Sequence, residues 1–465
     1  MNLSVEETKI PGARSTQDRS DRRSDRPFYF NLVLWGERYR HYFLDYCLPS
    51  LLSPRNIPAL SRKRGNKFLI ATHAQDWAIL SAAPIMARLR EYAEPVFIEL
   101  PSSPPGGPQT NYNELGYNLA LMGAGHQRIS TMALRDRAYG VYLSPDSMLS
   151  DGSVERLQAH AESGVELVLC TALRLGEEPL VESLAAQGLI PVASRAQSGM
   201  PLTISGRQMV AAAAQGMHSE TQTYEWNACY FLARHPSAAW WRVPGETGVL
   251  IHSLNWMPLL FDFAAVAEHD ASSLESWTLD GDYVYKNLGA SHSIHIVQDS
   301  DEMFMASWAP VADRPRKLVA ASRPWPGILE RWRQKMVETR KGVDFHDGFY
   351  DGFFDPLKQQ IFFLPVWWHA DDLNESWAQT EREAQKVLRR WVLPPESEPG
   401  KNPSRWREST FIFVIVPLRI AANAQHLWTY REFVYRRFGE MLRGDRRAWN
   451  RAIKRLRDTL RHIST

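Results

Sequence analysis

The chain has 465 residues, a formal net charge of +2 and 44% hydrophobic residues. That is material for a large core, arranged as two to three domains or as one large domain with insertions. The near-neutral charge argues against a general nucleic-acid binder, which needs a basic surface.

Cys47, Cys170 and Cys229 are far apart and odd in number. They form neither a metal spacing nor a disulfide framework, which points to a reducing, cytoplasmic setting. The 17 tryptophans serve either ordinary packing of a large core or a groove lined by aromatic faces, which suits sugars. No apolar run reaches the ~18 residues of a membrane span. The nearest, residues 411–422, contains Pro417 and Arg419 and reads as a buried strand. Residues 1–27 alternate Arg, Asp and Ser and lack an apolar h-region, so they read as a disordered tail and not as a signal peptide.

In chain order, residues 28–35 (FYFNLVLW) read as a first strand ending at Gly36, and 37–52 follow at helical spacing. Residues 67–72 read as a second strand that ends in His73-Ala74-Gln75-Asp76, before a helix over 77–94. A third strand spans 95–100, with a Pro/Gly loop over 101–108. A helix from 112 and a further run to 138 lead to the strand at Val141, which stops abruptly in Ser144-Pro145-Asp146. Asp151-Gly152-Ser153 opens a helix over 154–163, and 165–171 read as another strand. This alternation predicts an α/β fold, a mainly parallel sheet flanked by helices. There is no GxGxxG, no P-loop and no GxSxG.

Residues 177–215 read as helical and Ala-rich, and 224–310 as loops and short strands, dense in acid, His and aromatic residues, over a site. The Pro-rich stretch 311–326 suggests a boundary, so that 28–310 form one domain and 311–465 a mainly helical C-terminal region. Within that region 327–339, 372–391 and 428–462 read as helices, 394–403 as a surface loop or linker, and the arginines of 431–461 as a solvated helix face.

An acidic residue just past the carboxyl end of a strand is where α/β sheets place ligand chemistry, and Asp146 holds that position. Asp146 and Asp151 read equally well as turn and N-cap residues. The runs FNLVLWGERYRHYFLDYCLPSLLSPRNIPAL, FLIATHAQDWAIL and VYLSPDSMLSDGSVERL resemble bacterial glycosyltransferase-type proteins of the nucleotide-diphospho-sugar transferase (GT-A) superfamily. The resemblance covers roughly residues 28–310. It implies a first strand leading to a nucleotide-facing loop, here Trp35-Gly36-Glu37. It also implies a later strand ending in an Asp-x-Asp motif that holds a divalent metal on the donor diphosphate. Ser144-Pro145-Asp146 occupies that place, with Ser144 where the first Asp would stand. One ligand of the usual pair is therefore lost or moved.

The implied chemistry is transfer of a sugar from a nucleotide-diphosphate donor to an unknown acceptor. The leaving diphosphate must be neutralised by Mn²⁺ or Mg²⁺ or by Arg/Lys. Trp35, Glu37, His73 and Asp146 are then the donor-binding candidates. Asp146 is the metal-ligand candidate, with His252 or an acid of 280–301 as its second. Asp280, Asp282 and Asp299, with Asp301, are the pool for a general base. Each has a structural alternative. Asp280-Gly281-Asp282 makes a good turn, Asp299 to Glu302 can N-cap a helix, His252 fits a core, and His73 and Asp76 fit a capping turn. The second functional reading is a catalytically silent GT-A-like module for binding or assembly, and the lost acid favours it. A nucleotidyltransferase would carry a Gly-rich, basic loop where Trp35-Gly36-Glu37-Arg38 stands.

Overall fold

Strand β1 (Phe28–Val33) has every residue buried, as expected of a parallel strand covered on both faces. Side chains alternate across a strand. Phe28, Phe30 and Leu32 join one core cluster, while Tyr29 and Val33 join the other. The computed structural model describes residues 23, 25–102, 114–190, 199–228, 237–275, 278–279, 282–289, 292–313, 338–339, 341–342, 345, 349 and 355–391. Most of the loop over 101–108, Asp280, the helix over 428–462 and the strand over 411–422 lie outside the described residues, as does nearly all of the tail.

The chain alternates strand and helix. Helix α1 (Glu37–Tyr42) continues through one wide π turn (Phe43–Cys47) into α2 (Leu48–Leu51). Strand β2 (Lys67–Thr72) leads to α3 (Ala74–Ala82) and α4 (Pro84–Leu89). Sequence reading makes these two one helix. Pro84 divides them, because the residue before a proline is pushed to extended backbone and Ala83 has ψ 136°. Then come β3 (Glu94–Glu99), the long α5 (Glu114–Arg135), β4 (Tyr139–Leu143), β5 (Ser147–Leu149) and α6 (Ser153–Ser163). Strands β6 (Leu167–Thr171) and β7 (Arg174–Gly176) precede α7 (Glu177–Ala186) and α8 (Gly206–Ala213). The stretch read as loops and short strands contains β8 (Ala238–Arg242), β9 (Gly248–Ser253), β10 (Trp256–Asp262), α9 (Tyr283–Leu288), β11 (Ile294–Ile296) and β12 (Met305–Ala309). Beyond residue 311 lie α10 (Pro356–Ile361), β13 (Val366–His369) and α11 (Glu375–Trp391).

The main sheet has seven strands in the order β11-β6-β10-β4-β1-β2-β3. All run the same way except β10, which is antiparallel to both β4 and β6. The fold is therefore α/β with a mostly parallel central sheet. One face carries α5, with Leu121, Ile129 and Ala133 in its core. The other carries α2, α4 and α6 through Leu48, Leu51, Ile85, Leu89, Val154 and Leu157. Two three-stranded sheets complete the described residues, β5-β12-β7 and β13-β9-β8. Strand β13 lies past the boundary read at residue 311, yet it pairs with β9, and Trp377, Leu388 and Trp391 of α11 share a core with Trp241 and Leu250. This body therefore draws on residues from both sides of that Pro-rich stretch. Among the described residues, no helix is long and apolar enough to cross a membrane.

Candidate functional site

From β1 the chain proceeds to β2 and β3 on one side, whereas β4 returns to the other side of β1. Such a reversal opens a crevice at the carboxyl ends of the two central strands, where open α/β sheets bind ligands. Two short loops face that crevice. After β1 come Leu34, Trp35 and Gly36, with the Leu34 amide still bonded to Ala71 O at 3.0 Å. After β4 come Ser144, Pro145 and Asp146.

The first loop is fixed from a neighbouring helix. Gly36 takes φ 81° and ψ 161°, a conformation essentially reserved for glycine. Its amide donates to the Asp76 carboxylate at 3.2 Å, and Asp76 also pairs with Arg40. Asp76 thus ties together the loop after β1, helix α1 and the first turn of α3.

The second loop closes on itself. The Ser144 hydroxyl donates to the Asp146 carboxylate, and the Ser147 hydroxyl to Ser144 O at 2.6 Å. The Trp308 amide donates to Asp146 O at 3.1 Å. The chain then passes directly into β5, so the sheet β5-β12-β7 stands on the carboxyl edge and brings Arg174 and Trp308 to the crevice. Burial raises the Asp146 carboxyl pKa, opposed by the Ser144 hydrogen bond and by the positive charge of Arg174. Arg174 is itself paired with Glu220 at 3.2 Å.

Aromatic rings gather around Asp146. Tyr42 and Tyr46 meet Trp308 edge-on at 5.6 and 5.7 Å, and Tyr39 meets Tyr42 at 6.0 Å. Burial raises the phenol pKa values of Tyr39 and Tyr42, and the negative charge of Asp146 adds to both. The Tyr42 hydroxyl donates to Glu177, in the first turn of α7. The Trp308 Nε1 donor is buried with no partner among the described residues. Tyr39 is exposed, so the cluster has a solvent-facing side.

Of the sequence candidates, Trp35, Glu37, His73 and Asp146 all follow the carboxyl ends of β1, β2 or β4, on one edge of the sheet. His73 precedes α3 but makes no side-chain cap bond; the polar tie in that turn is Asp76. Asp299 follows β11 at the same edge but three strands from β4, roughly 14 Å at ordinary strand spacing. There it accepts from His369 Nε2 at 2.8 Å.

Asp282 belongs elsewhere. Because β10 runs antiparallel, the connection from β10 to β11 leaves and rejoins the sheet at the amino edge. Asp282 precedes α9 on that connection and pairs with Lys286 at 3.1 Å. His252 is fully buried in β9, its Nδ1 3.0 Å from Phe362 O and its pKa lowered to about 4 by burial. It is a core histidine, packed against Trp241 and Phe362. Among the described residues, no group of three His, Cys or acidic ligands includes Asp146. A Mg²⁺ or Mn²⁺ ion shared with a ligand's phosphates requires only one or two protein carboxylates, and Asp146 could supply one.

Sequence reading missed Tyr39, Tyr42, Arg174, Glu177 and Trp308. Tyr39 and Tyr42 stand three apart on α1, one helix face, which is a legible signal. Trp308 reaches the crevice through the pairing of β12 with β5, and Arg174 through the pairing of β7 with β12. No protein-family model matches the chain, and no curated protein matches it either.

Proposed function

We propose that the crevice between Trp35-Gly36 and Asp146 binds a nucleotide-diphosphate sugar and that the chain is a glycosyltransferase-like protein of the GT-A type. The observation carrying this reading is the place of Asp146, one loop past β4 at the point where the strand order reverses beside β1. Asp146 would accept from a donor hydroxyl or hold a Mg²⁺ or Mn²⁺ ion shared with the diphosphate. Arg174 offers positive charge to the leaving phosphates, and Trp35 and Tyr39 offer ring faces to base or sugar. Glu177, on the crevice rim, is better placed than Asp282 for a general base.

The second reading, a catalytically silent module that binds the same ligand, is favoured by Ser144 in place of an acid. A thermal-shift panel of nucleotides and nucleotide sugars, with and without Mn²⁺, tests both. A ligand at ~100 Kd adds about 2.7 kcal/mol to the folded state. A shift accompanied by donor hydrolysis or transfer supports the enzyme, and a shift without turnover supports the module. No shift with any member would refute both.

A further inference from the structure

At the outer edge of the main sheet, away from the crevice, three metal-ligating side chains converge from separate elements. His160 lies on the last turn of α6, His295 at the centre of β11 and Glu302 in the turn beyond. The packing explains their meeting. His295 stands in register with Val168 of β6, and Val168 shares a core with Leu157 and Ala161 of α6. Leu157, His160 and Ala161 lie on one helix face. The chain turns after β11, with the Glu302 amide bonded to Asp299 O at 3.1 Å, and comes back over α6.

The Nε2 atoms of both histidines point at one carboxylate. His160 Nε2 is 2.6 Å from Glu302 Oε1, and His295 Nε2 is 2.9 Å from Oε1 and 3.1 Å from Oε2. The two imidazoles stack with centroids 4.0 Å apart. One ligand atom from each residue lies within 4.8 Å of the others. All three side chains are half-buried, with 20 to 32% exposure, so the cluster is shielded but reachable. Burial pushes the Glu302 carboxyl pKa up, but the two histidine hydrogen bonds win and bring it to about 2.

Around Asp299, Asp301 and His369, the guanidinium of Arg207 already holds Asp301 at 2.7 Å, and His369 Nδ1 already lies 2.7 Å from Asp371 O. Among the described residues, no Lys or Arg pairs with Glu302. Two imidazoles and a carboxylate suit Zn²⁺, whereas Mg²⁺ and Ca²⁺ prefer oxygen alone. Tetrahedral Zn²⁺ with ligands at about 2.1 Å separates them by roughly 3.4 Å. The observed separations, 2.6 to 3.1 Å, are shorter than this by up to about 0.8 Å, an opening that side-chain rotation supplies.

We propose that His160, His295 and Glu302 form a Zn²⁺ site that pins edge strand β11 to helix α6, with its fourth position open to solvent. This does not depend on the reading of the crevice. The test uses the full, tag-free chain, stripped with a chelator and titrated with Zn²⁺ against a chromophoric competitor. Co²⁺ then serves as a spectroscopic probe. We expect one Zn²⁺ equivalent in the wild type, a rise in Tm when it binds, and the visible bands of tetrahedral Co²⁺. His295→Ala and Glu302→Gln each remove a direct ligand and should weaken binding by roughly 100-fold or more, at or beyond the upper end of the range for outer-shell changes. His160→Gln, on the helix surface, is the second variant should His295→Ala fail to fold. Asp299→Asn and Asp146→Asn should retain the equivalent. A wild type that binds no Zn²⁺, or an equivalent that survives in both Glu302→Gln and His160→Gln, overturns the proposal.

Discussion

The carboxylate of Asp76 holds the amide of Gly36 at 3.2 Å, so the loop after β1 takes its shape from the helix after β2. The same carboxylate pairs with Arg40 and is only 2% exposed. Asp76→Ala would strand a largely buried guanidinium and an amide at once. The expected cost is about 3 kcal/mol, the lower end for breaking a buried pair, because Arg40 keeps some solvent. Urea denaturation should show a lower midpoint with an unchanged slope. A loss below about 0.5 kcal/mol, the level of ordinary surface substitutions, would mean that the tie contributes little to stability.

Gly36 supplies the other half of that relationship. A Cβ built there would touch nothing within 4 Å, so any penalty for Gly36→Ala comes from backbone alone. At φ 81° and ψ 161° that penalty is about 1–3 kcal/mol. The substitution should also blunt any nucleotide-sugar thermal shift, because relieving the strain moves Trp35. Gly65→Ala, at φ +70° in equally open space, is the control that strains the backbone at a site remote from the crevice. Equal loss of ligand response in both variants would sever the link between Gly36 and the crevice.

The Asp299–His369 pair predicts a pH window. Its hydrogen bond raises the His369 pKa above 6.5, with burial opposing and the Asp371 carbonyl and Asp301 charge assisting. The same bond lowers the Asp299 pKa below 3.8, against burial. A raised histidine contributes stability that is complete below its unfolded pKa and is lost as pH rises through the folded one. A depressed carboxylate contributes above its unfolded pKa and fades as pH falls through the folded one. The pair is therefore strongest between those limits, at mildly acidic pH. Solvent at the half-exposed Asp299 limits it to on the order of 1 kcal/mol. His369→Gln should flatten the alkaline decline of Tm, and an unchanged decline would assign it to other groups.

The positions of Trp35, His73 and Asp146 were legible because each follows an apolar run that could only be a buried strand. Three parallel strands necessarily bring their carboxyl ends to one edge. The direction of β10 was not legible. WMPLLFD is buried along most of its length and carries no mark of orientation, yet that orientation alone sends Asp282 to the opposite edge. His252 in GVLIHS is ambiguous for the same reason, since every residue of β9 is buried. His160 and Glu302 are 142 residues apart, and long-range pairings, of β11 with β6 and of β12 with β5, bring them together.

Glu177 is expected to matter for turnover more than for binding. It accepts from Tyr42, whose ring packs on Trp308, whose amide in turn holds Asp146 O. Glu177→Gln keeps an acceptor for Tyr42 and removes only the basic carboxylate. If Glu177 is the general base, transfer should fall by about 10²–10⁴-fold while the donor-induced thermal shift persists. A variant with full turnover would remove it from that role.

Asp146→Asn separates support of the fold from ligand chemistry. Burial raises the Asp146 pKa, so the folded state holds this proton more tightly than the unfolded chain does. Ionisation therefore costs stability, and the cost grows as pH rises from about 3.8, the unfolded value, through the folded one. At neutral pH the neutral amide avoids that cost. It can still accept from the Ser144 hydroxyl, and the backbone bond from Trp308 is untouched. Tm at pH 7 should thus stay level or rise, with a weaker decline between acid and neutral pH. Donor binding should behave oppositely, because an amide cannot neutralise a divalent ion and is a poorer acceptor for a donor hydroxyl than a carboxylate. The nucleotide-sugar shift should disappear with and without Mn²⁺. A variant that loses Tm yet keeps the shift would make Asp146 a turn residue and nothing more. Loss of only the Mn²⁺-dependent part would identify the carboxylate as a metal ligand, whereas loss of both parts would place it on the donor itself.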